Sequence, residues 1–168
     1  MRNNAFVLLA TILFTCGNTI KERKIENTGN KIESFDIAFE DEYGLCAANL
    51  KTGKKTLVDP HGKYGCISKD GKQIVYTKED KIYIMDFSTR AAHLINTGWD
   101  HNYSPIWSPD NKQIAFYAYA HLECFIGVTG KDNKGVTTIA KTKDSFSGPV
   151  WAPDGKAVIF SDRTTIYQ

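Results

Sequence analysis

Three stretches of the chain share one arrangement of apolar and polar positions. Each consists of a short strand, a polar turn and then a run of successive apolar residues, and they lie at residues 66–76, 106–116 and 150–160. An unbroken apolar run of strand length predicts a β-strand that is covered on both faces, because a strand with one wet face would alternate. The segments between these stretches show no helical periodicity. The pattern therefore predicts an all-β fold.

The polar turn of each stretch has the composition of a tight hairpin turn. Aspartate hydrogen-bonds to nearby backbone, proline presets φ, and glycine or asparagine tolerates positive φ. Each turn is therefore predicted to join two antiparallel strands. The residues that define the repeat are Asp70, Gly71, Trp107, Pro109, Asp110, Trp151, Pro153, Asp154 and Gly155.

Two more strands are predicted after the first two hairpins. Apolar segments at 82–85 and 125–128 indicate a third strand, and more polar segments at 93–95 and 136–139 indicate a fourth. The polar strand is expected at the exposed edge of each sheet. The repeats recur about every 40 to 44 residues, which is the period of a four-stranded propeller blade.

A fourth, weaker copy of the repeat lies upstream. Residues 37–39 have the same sequence as residues 114–116, and residues 45–52 align without gaps on residues 82–89. Both pieces match the repeat at residues 66–89 with one offset of 37 positions. A single offset that serves two segments predicts another blade at the start of the repeat region.

The segments WSPDNKQIAF and WAPDGKAVIF resemble the β-propeller repeat of the TolB family of periplasmic proteins. SKDGKQIVY at 68–76 is a variant of this repeat without the tryptophan and proline. The resemblance covers about residues 34–168 and implies a partial propeller of about three and a half four-stranded antiparallel blades. It does not imply TolB's transport role, because only a short polar stretch precedes Ser34, where TolB has a separate α/β domain. The same blades occur in peptidases, polysaccharide-degrading enzymes and lipoproteins, so the repeat specifies a fold and not a function.

The last repeat reaches only the beginning of a third strand, at residues 166–167. We therefore expect an incomplete propeller with open sheet edges, which need cover because unpaired strands associate. Three arrangements stay open. The first strands could close a four-bladed ring, two chains could form a homo-dimer along their edges, or the chain could be a piece of a longer protein. We favour the interpretation that the chain is a piece of a longer protein or an incomplete propeller.

Residues 1–16 have the pattern of an export signal. Arg2 precedes an uncharged apolar run at residues 5–15, too short for the roughly 20 residues that span a membrane. Leu13 and Cys16 resemble a bacterial lipobox, which implies lipid attachment at Cys16. The alternatives are an ordinary signal peptide with an incidental cysteine, and a buried strand or helix. Residues 17–33 are predicted to be a polar tether before a propeller at 34–168.

The charge and cysteine content narrow the classes of partner. Twenty-one Lys and Arg against 19 Asp and Glu give a net charge of +2, without the basic excess typical of nucleic-acid-binding proteins.

Cys46, Cys66 and Cys124 lie in apolar, strand-like contexts. We expect buried free thiols there, although one pair could form a disulfide in an oxidising compartment. No spacing of cysteines and histidines fits a zinc site.

Candidate chemistry is concentrated in one polar segment, which comprises Asp100, His101, Asn102 and Tyr103. A loop between blades would place these residues on one face, where they could contact a ligand, and a solvated connector is the alternative. His121 and Glu123 are expected in a surface loop that lengthens the second repeat. The sequence has no nucleophile elbow, P-loop, dinucleotide fingerprint or EF-hand loop. We therefore predict no catalytic residues, no metal and no cofactor.

Together these features predict a non-enzymatic protein of the cell envelope. It would be exported to the periplasm or outer membrane, held to a membrane by a lipid on Cys16, and would present loops to a protein or glycan partner. Two alternatives stay open. The chain could be the propeller part of an envelope peptidase or polysaccharide lyase, or a structural remnant with no binding role.

Overall fold

A computed structural model of the protein describes residues 33–162 and 165–168. These residues form fourteen β-strands and contain no helix, so none of them belongs to a helix long and apolar enough to cross a membrane. The all-β prediction is confirmed. The predicted signal peptide, Cys16 and all but the last residue of the predicted tether lie outside the described residues.

The strands form four antiparallel sheets that follow one another along the chain. The first sheet contains β1 (Ile37–Asp41), β2 (Gly44–Ala48) and β3 (Lys55–Asp59). The second contains β4 (Gly62–Ile67), β5 (Gln73–Lys78), β6 (Lys81–Asp86) and β7 (Ala92–Ile95). The third contains β8 (His101–Trp107), β9 (Gln113–Ala120), β10 (Glu123–Gly130) and β11 (Val136–Thr142). The fourth contains β12 (Val150–Trp151), β13 (Val158–Ser161) and β14 (Ile166–Tyr167).

The second and third sheets are complete blades with their strands in chain order. The first sheet begins with the counterpart of the second blade strand, and the fourth sheet ends with the counterpart of the third. Fourteen strands are three and a half blades' worth, as the repeat predicts. The fourth strand of the second sheet lies at the exposed edge, as expected, and three of the four residues of β7 are exposed.

The unbroken apolar runs of the two complete blades are covered on both faces because each of these blades packs between two other sheets. Along β5, Ile74 and Tyr76 pack in a core cluster shared with the first sheet, whereas Val75 packs in the cluster shared with the third. Along β9, Phe116 packs toward the second sheet and Ala115 toward the fourth. Successive strand residues point to opposite faces, so two packed faces require an apolar residue at every position.

The hairpin turns have the predicted geometry. Asn111 adopts a φ of 58°, and the glycines at the same place in the other turns, Gly71 and Gly155, adopt 71° and 72°. The Asp110 carboxylate accepts hydrogen bonds from the Ser108 hydroxyl at 2.6 Å and from the Lys112 amide at 3.1 Å. The serine hydroxyl is the largest influence that lowers the pKa of Asp110.

The expectation of a surface loop at His121 and Glu123 holds only for His121, which is exposed in the β9–β10 turn. His121 and Leu122 form a tight turn, with φ values of 51° and 64°, and Glu123 is already the first residue of β10. The extra residues of this repeat lengthen β9 and β10 to eight residues each. Residues 117–120 pair with residues 123–126 without a break, so the insertion extends the hairpin instead of forming a longer loop.

The three described cysteines are free, as expected. Cys46 and Cys124 are buried and Cys66 is half-buried. Burial is the largest cause that raises the pKa of the Cys66 thiol, so it favours the protonated and unreactive form.

Candidate binding groove

The two ends of the sheets carry different sets of connections. The β1–β2, β5–β6 and β9–β10 turns lie at one end, together with the β3–β4 and β7–β8 connections. We call this the groove end. The β2–β3, β4–β5 and β8–β9 turns lie at the opposite end. The separation follows from the antiparallel order, because alternate turns of a meander fall at alternate ends of the sheet.

A concave groove of about 480 Å³ lies at the groove end and spans the first, second and third sheets. This volume falls within the range of ligand pockets, about 300 to 1,000 Å³. Its lining includes five carboxylates, from Glu40, Asp41, Glu42, Glu79 and Asp80. We call it the acidic groove.

The carboxylates differ in how they are held. Glu40 Oε1 accepts a hydrogen bond from the Tyr64 amide at 2.9 Å, and Asp41 forms an ion pair with Lys55. The Lys55 hydrogen bond is the main cause that lowers the pKa of Asp41. Within residues 33–162 and 165–168, no hydrogen bond or ion pair joins the side chain of Glu42 or Glu79 to another residue. Both side chains are exposed and keep their acceptor oxygens available to a ligand.

Tyrosine rings form another part of the wall. Tyr64 is 48% exposed and meets Tyr103 edge to face, with ring centroids 6.2 Å apart. A bulge in β4 turns Tyr64 outward, since the register slips between Lys63 and Cys66 and Tyr64 adopts a φ of 54°. An equivalent bulge occurs in β8, where Ser104 adopts a φ of 49°, so the bulge belongs to the repeat; the exposure of its ring in the groove makes Tyr64 a candidate contact residue.

The segment Asp100, His101, Asn102 and Tyr103 does not form a loop. Three of its residues begin β8, and only Asp100 precedes the strand. His101 Nδ1 lies 2.7 Å from Asp80 Oδ2. Asn102 is fully buried and donates from Nδ2 to the backbone oxygens of Asp80 and Trp99. Only Tyr103 lines the acidic groove, so the segment mainly fixes the third sheet against the β5–β6 turn.

A buried polar cluster supports the groove floor. Asp59 is 8% exposed, binds Lys78 Nζ at 3.0 Å and accepts the His61 amide at 2.8 Å. The Tyr76 hydroxyl lies 3.5 Å from the same carboxylate. Burial, followed by the charge of Asp59, raises the pKa of Tyr76 to about 12.

We expect Tyr76 to remain protonated until about pH 12 in the folded protein. An unfolded tyrosine has a pKa of about 10, so the unfolded state loses this proton first. The stabilisation by Tyr76 is therefore complete below pH 10 and is lost as the pH rises toward 12. An ultraviolet titration of the protein and of Tyr76→Phe checks this. The variant should lack one late-titrating tyrosine, and loss of a tyrosine that titrates near pH 10 would contradict the assignment.

The acidic groove was not predicted from the sequence, although the sequence contains a signal for it. Glu42 and Glu79 begin turns at the same place in two successive repeats, with the offset of 37 residues that aligns the rest of these repeats. Equivalent turns of adjacent blades lie side by side. The aligned acidic residues could therefore have predicted a shared negative surface.

The chain is similar in fold to several solved β-propeller structures. The chain is similar to TolB from Acinetobacter baumannii, with 25% identity and a TM-score of 0.57, over 71% of this chain and 32% of that one. It is also similar to a putative TolB from Agrobacterium tumefaciens, with 22% identity and a TM-score of 0.64, over 76% of this chain and 50% of that one. The fold is that of a TolB-like β-propeller.

The chain spans about a third to a half of the length of these two structures. The propeller domain of the Trilobed protease from Pyrococcus furiosus is similar as well, with 16% identity and a TM-score of 0.54, over 74% of this chain and 42% of that domain. The propeller fold of this chain is therefore shared by TolB structures and by the propeller domain of a protease. Neither the protein-family models nor the curated proteins compared with the chain gave a match.

Proposed function

We propose that the protein is a non-enzymatic binding or scaffold protein of the cell envelope that presents its groove end to a protein or glycan partner. The observation that carries the proposal is the acidic groove, in which turns of two adjacent repeats bring five carboxylates together. A TolB-like blade positions such turns on a rigid stack of sheets. Rigid scaffolds with functional loops are the usual arrangement of binding proteins.

Exposed tyrosines at the groove end support a binding role. Tyr43, in the β1–β2 turn, is 65% exposed, and Tyr64 in the groove wall is 48% exposed. Tyrosine is enriched at protein interfaces because its ring buries apolar area while its hydroxyl retains a hydrogen bond. Such residues next to carboxylates fit a surface that is covered when a partner binds.

The proposed location is the periplasm or the outer membrane, with a lipid on Cys16. The apolar run at residues 5–15 and the lipobox-like Leu13 and Cys16 support this proposal. The similarity of the fold to TolB structures supports the proposed location, because the TolB family that the repeat resembles is periplasmic. A single lipid chain binds a membrane only weakly, so a lipidated mature end would need more than one chain for stable anchoring.

Site-specific photo-cross-linking in cells tests the binding role. A photoreactive residue at Tyr43 should give a discrete adduct at several times the yield obtained from the same residue at Leu50. The two positions are a matched pair, since both lie in turns of the first sheet and are 65% and 68% exposed. They differ in that Leu50 is at the opposite end. Equal yields, or a higher yield at Leu50, would contradict the proposal.

A second candidate is the propeller part of a larger envelope peptidase or polysaccharide lyase. Exposed apolar side chains in the two terminal sheets favour it, because a neighbouring blade would cover them. Ile37 and Leu57 in the first sheet are 40% and 41% exposed, and Val150 and Ile166 in the fourth are 60% and 77% exposed. A coding sequence that continues in frame into further blades and a hydrolase domain would favour this candidate.

A further inference from the structure

One buried hydroxyl in the wall of the acidic groove has no partner. Thr77 is 3% exposed, and its Oγ1 makes no hydrogen bond within the part of the chain that the structure describes. Thr77 shares a face of β5 with Val75, which packs toward the third sheet, so its side chain lies on the side of the groove where Tyr103 stands. A buried polar group without a partner is unfavourable, and native proteins usually satisfy it with water or a ligand.

The groove surrounds this hydroxyl with groups that favour a cation. Five carboxylates line it, and Glu42 and Glu79 have free acceptor oxygens. The half-exposed ring of Tyr64 adds a π-face, which attracts an ammonium or guanidinium group. Among the lining side chains only Lys63 is a permanent positive charge, and His61 adds another when protonated.

The arrangement fits an organic cation better than a metal ion. Among the described residues, no group of three His, Cys, Asp or Glu side chains could hold a metal ion. The carboxylates are instead distributed along a groove of about 480 Å³. A bound segment with several donors can use such spaced acceptors, whereas a metal ion requires ligands that converge on one point.

We propose that the acidic groove binds a lysine- or arginine-containing extended segment of a partner protein, with the cationic side chains at Glu42 and Glu79 and against Tyr64, and with a donor of the segment on Thr77 Oγ1. The inference rests on the proposed function, because it names the chemistry of the partner that the groove end would receive. It selects a basic protein segment over a glycan.

The probe is a short peptide, acetyl-Gly-Lys-Gly-Lys-Gly-amide, compared with the same peptide containing glutamine in place of lysine. In a ¹H–¹⁵N NMR titration of the purified protein, the lysine peptide should shift the amides of Tyr64, Gly65 and Thr77. The glutamine peptide should leave them unchanged. High salt should weaken binding because the groove is open to solvent and its charges are screened.

Variants of the groove residues test which side chains contact the peptide. Glu42→Gln combined with Glu79→Gln should weaken binding about 5- to 10-fold, as expected for two solvent-exposed charge pairs. The matched control is Asp132→Asn combined with Asp144→Asn, which removes the same charge outside the groove and should change affinity less than twofold. Thr77→Val keeps the shape of the side chain and should weaken binding about threefold with the same salt dependence, as expected for one neutral hydrogen bond.

Three outcomes would overturn the inference. Equal shifts with both peptides would show that charge is not recognised, and equal weakening by both carboxylate pairs would show a general effect of net charge. If the lysine peptide does not bind while the cross-linking yield at Tyr43 still exceeds that at Leu50, the inference of a lysine- or arginine-containing segment is wrong, but the proposed binding role stands. If the cross-linking fails as well, both proposals fail.

Discussion

Gly71→Ala is expected to lower the free energy of unfolding by about 2 to 4 kcal/mol, since it combines a strained backbone with a steric clash. Gly71 adopts a φ of 71° in the β4–β5 turn, and a Cβ there would lie 2.7 Å from the backbone oxygen of Phe35. The Phe35 amide also donates to Gly71 O at 2.8 Å. Phe35 is 3% exposed and stacks near Phe87, so displacing it disturbs the core between the first two sheets.

Gly155→Ala is the matched control. Gly155 has a φ of 72° in the equivalent turn of the fourth sheet, but a Cβ there would meet only Pro109, at 3.5 Å. The control therefore carries the backbone strain without the clash and should cost about 1 kcal/mol. Urea unfolding followed by tryptophan fluorescence measures both variants. Equal losses would mean that Phe35 is not docked against this turn as described.

Phe116→Ala should lower the free energy of unfolding by about 3 to 5 kcal/mol, the usual cost of removing a fully buried aromatic ring. Phe116 is fully buried in the largest core cluster, between the second and third sheets. Its ring lies 5.6 Å from that of Trp99 and occupies the space that Gly127 leaves open. A cavity at this place would weaken the contact between the two complete blades.

Leu122→Ala serves as the control for the loss of Phe116. Leu122 is 79% exposed in the β9–β10 turn, and we expect a change of less than about 0.5 kcal/mol. The same urea titration reports both variants. A loss below about 1 kcal/mol for Phe116→Ala would contradict the packing of these blades, since a buried ring in a dense core cannot be removed at so small a cost.

The strand order could be predicted because the repeat expresses local rules. The turn at Pro109, Asp110 and Asn111 has the residues that a tight turn demands, and the run at 114–116 has the apolar positions of a strand covered on both faces. Because the four copies of the repeat align with one another, the strands predicted in each copy could be compared with those predicted in the other three. This is why even the weak copy at 37–52 was located correctly in the first sheet.

The acidic groove could not be predicted so directly because it depends on contacts between repeats. The bulge that turns Tyr64 outward has no clear signal in the sequence, and Tyr64 meets Tyr103 only because the second and third sheets are neighbours. The polarity of Asn102 indicated a solvated loop. Its amide is instead buried against the backbone oxygen of Asp80, and such a buried polar contact looks like a surface residue in a sequence.

Cross-linking from Tyr43 in cells, measured with and without the pair Glu42→Gln and Glu79→Gln, tests most directly whether the acidic groove is the partner-binding site. We expect a discrete adduct from Tyr43, little from Leu50, and a several-fold lower yield at Tyr43 when both groove carboxylates are neutralised. Tyr43 lies in the β1–β2 turn and is 65% exposed, and within the described residues no hydrogen bond joins its side chain to Glu42 or Glu79, so we expect the reactive position to stay exposed in both backgrounds. An adduct whose yield is the same in both backgrounds, or which forms equally well from Leu50, would show that the acidic groove is not the partner-binding site.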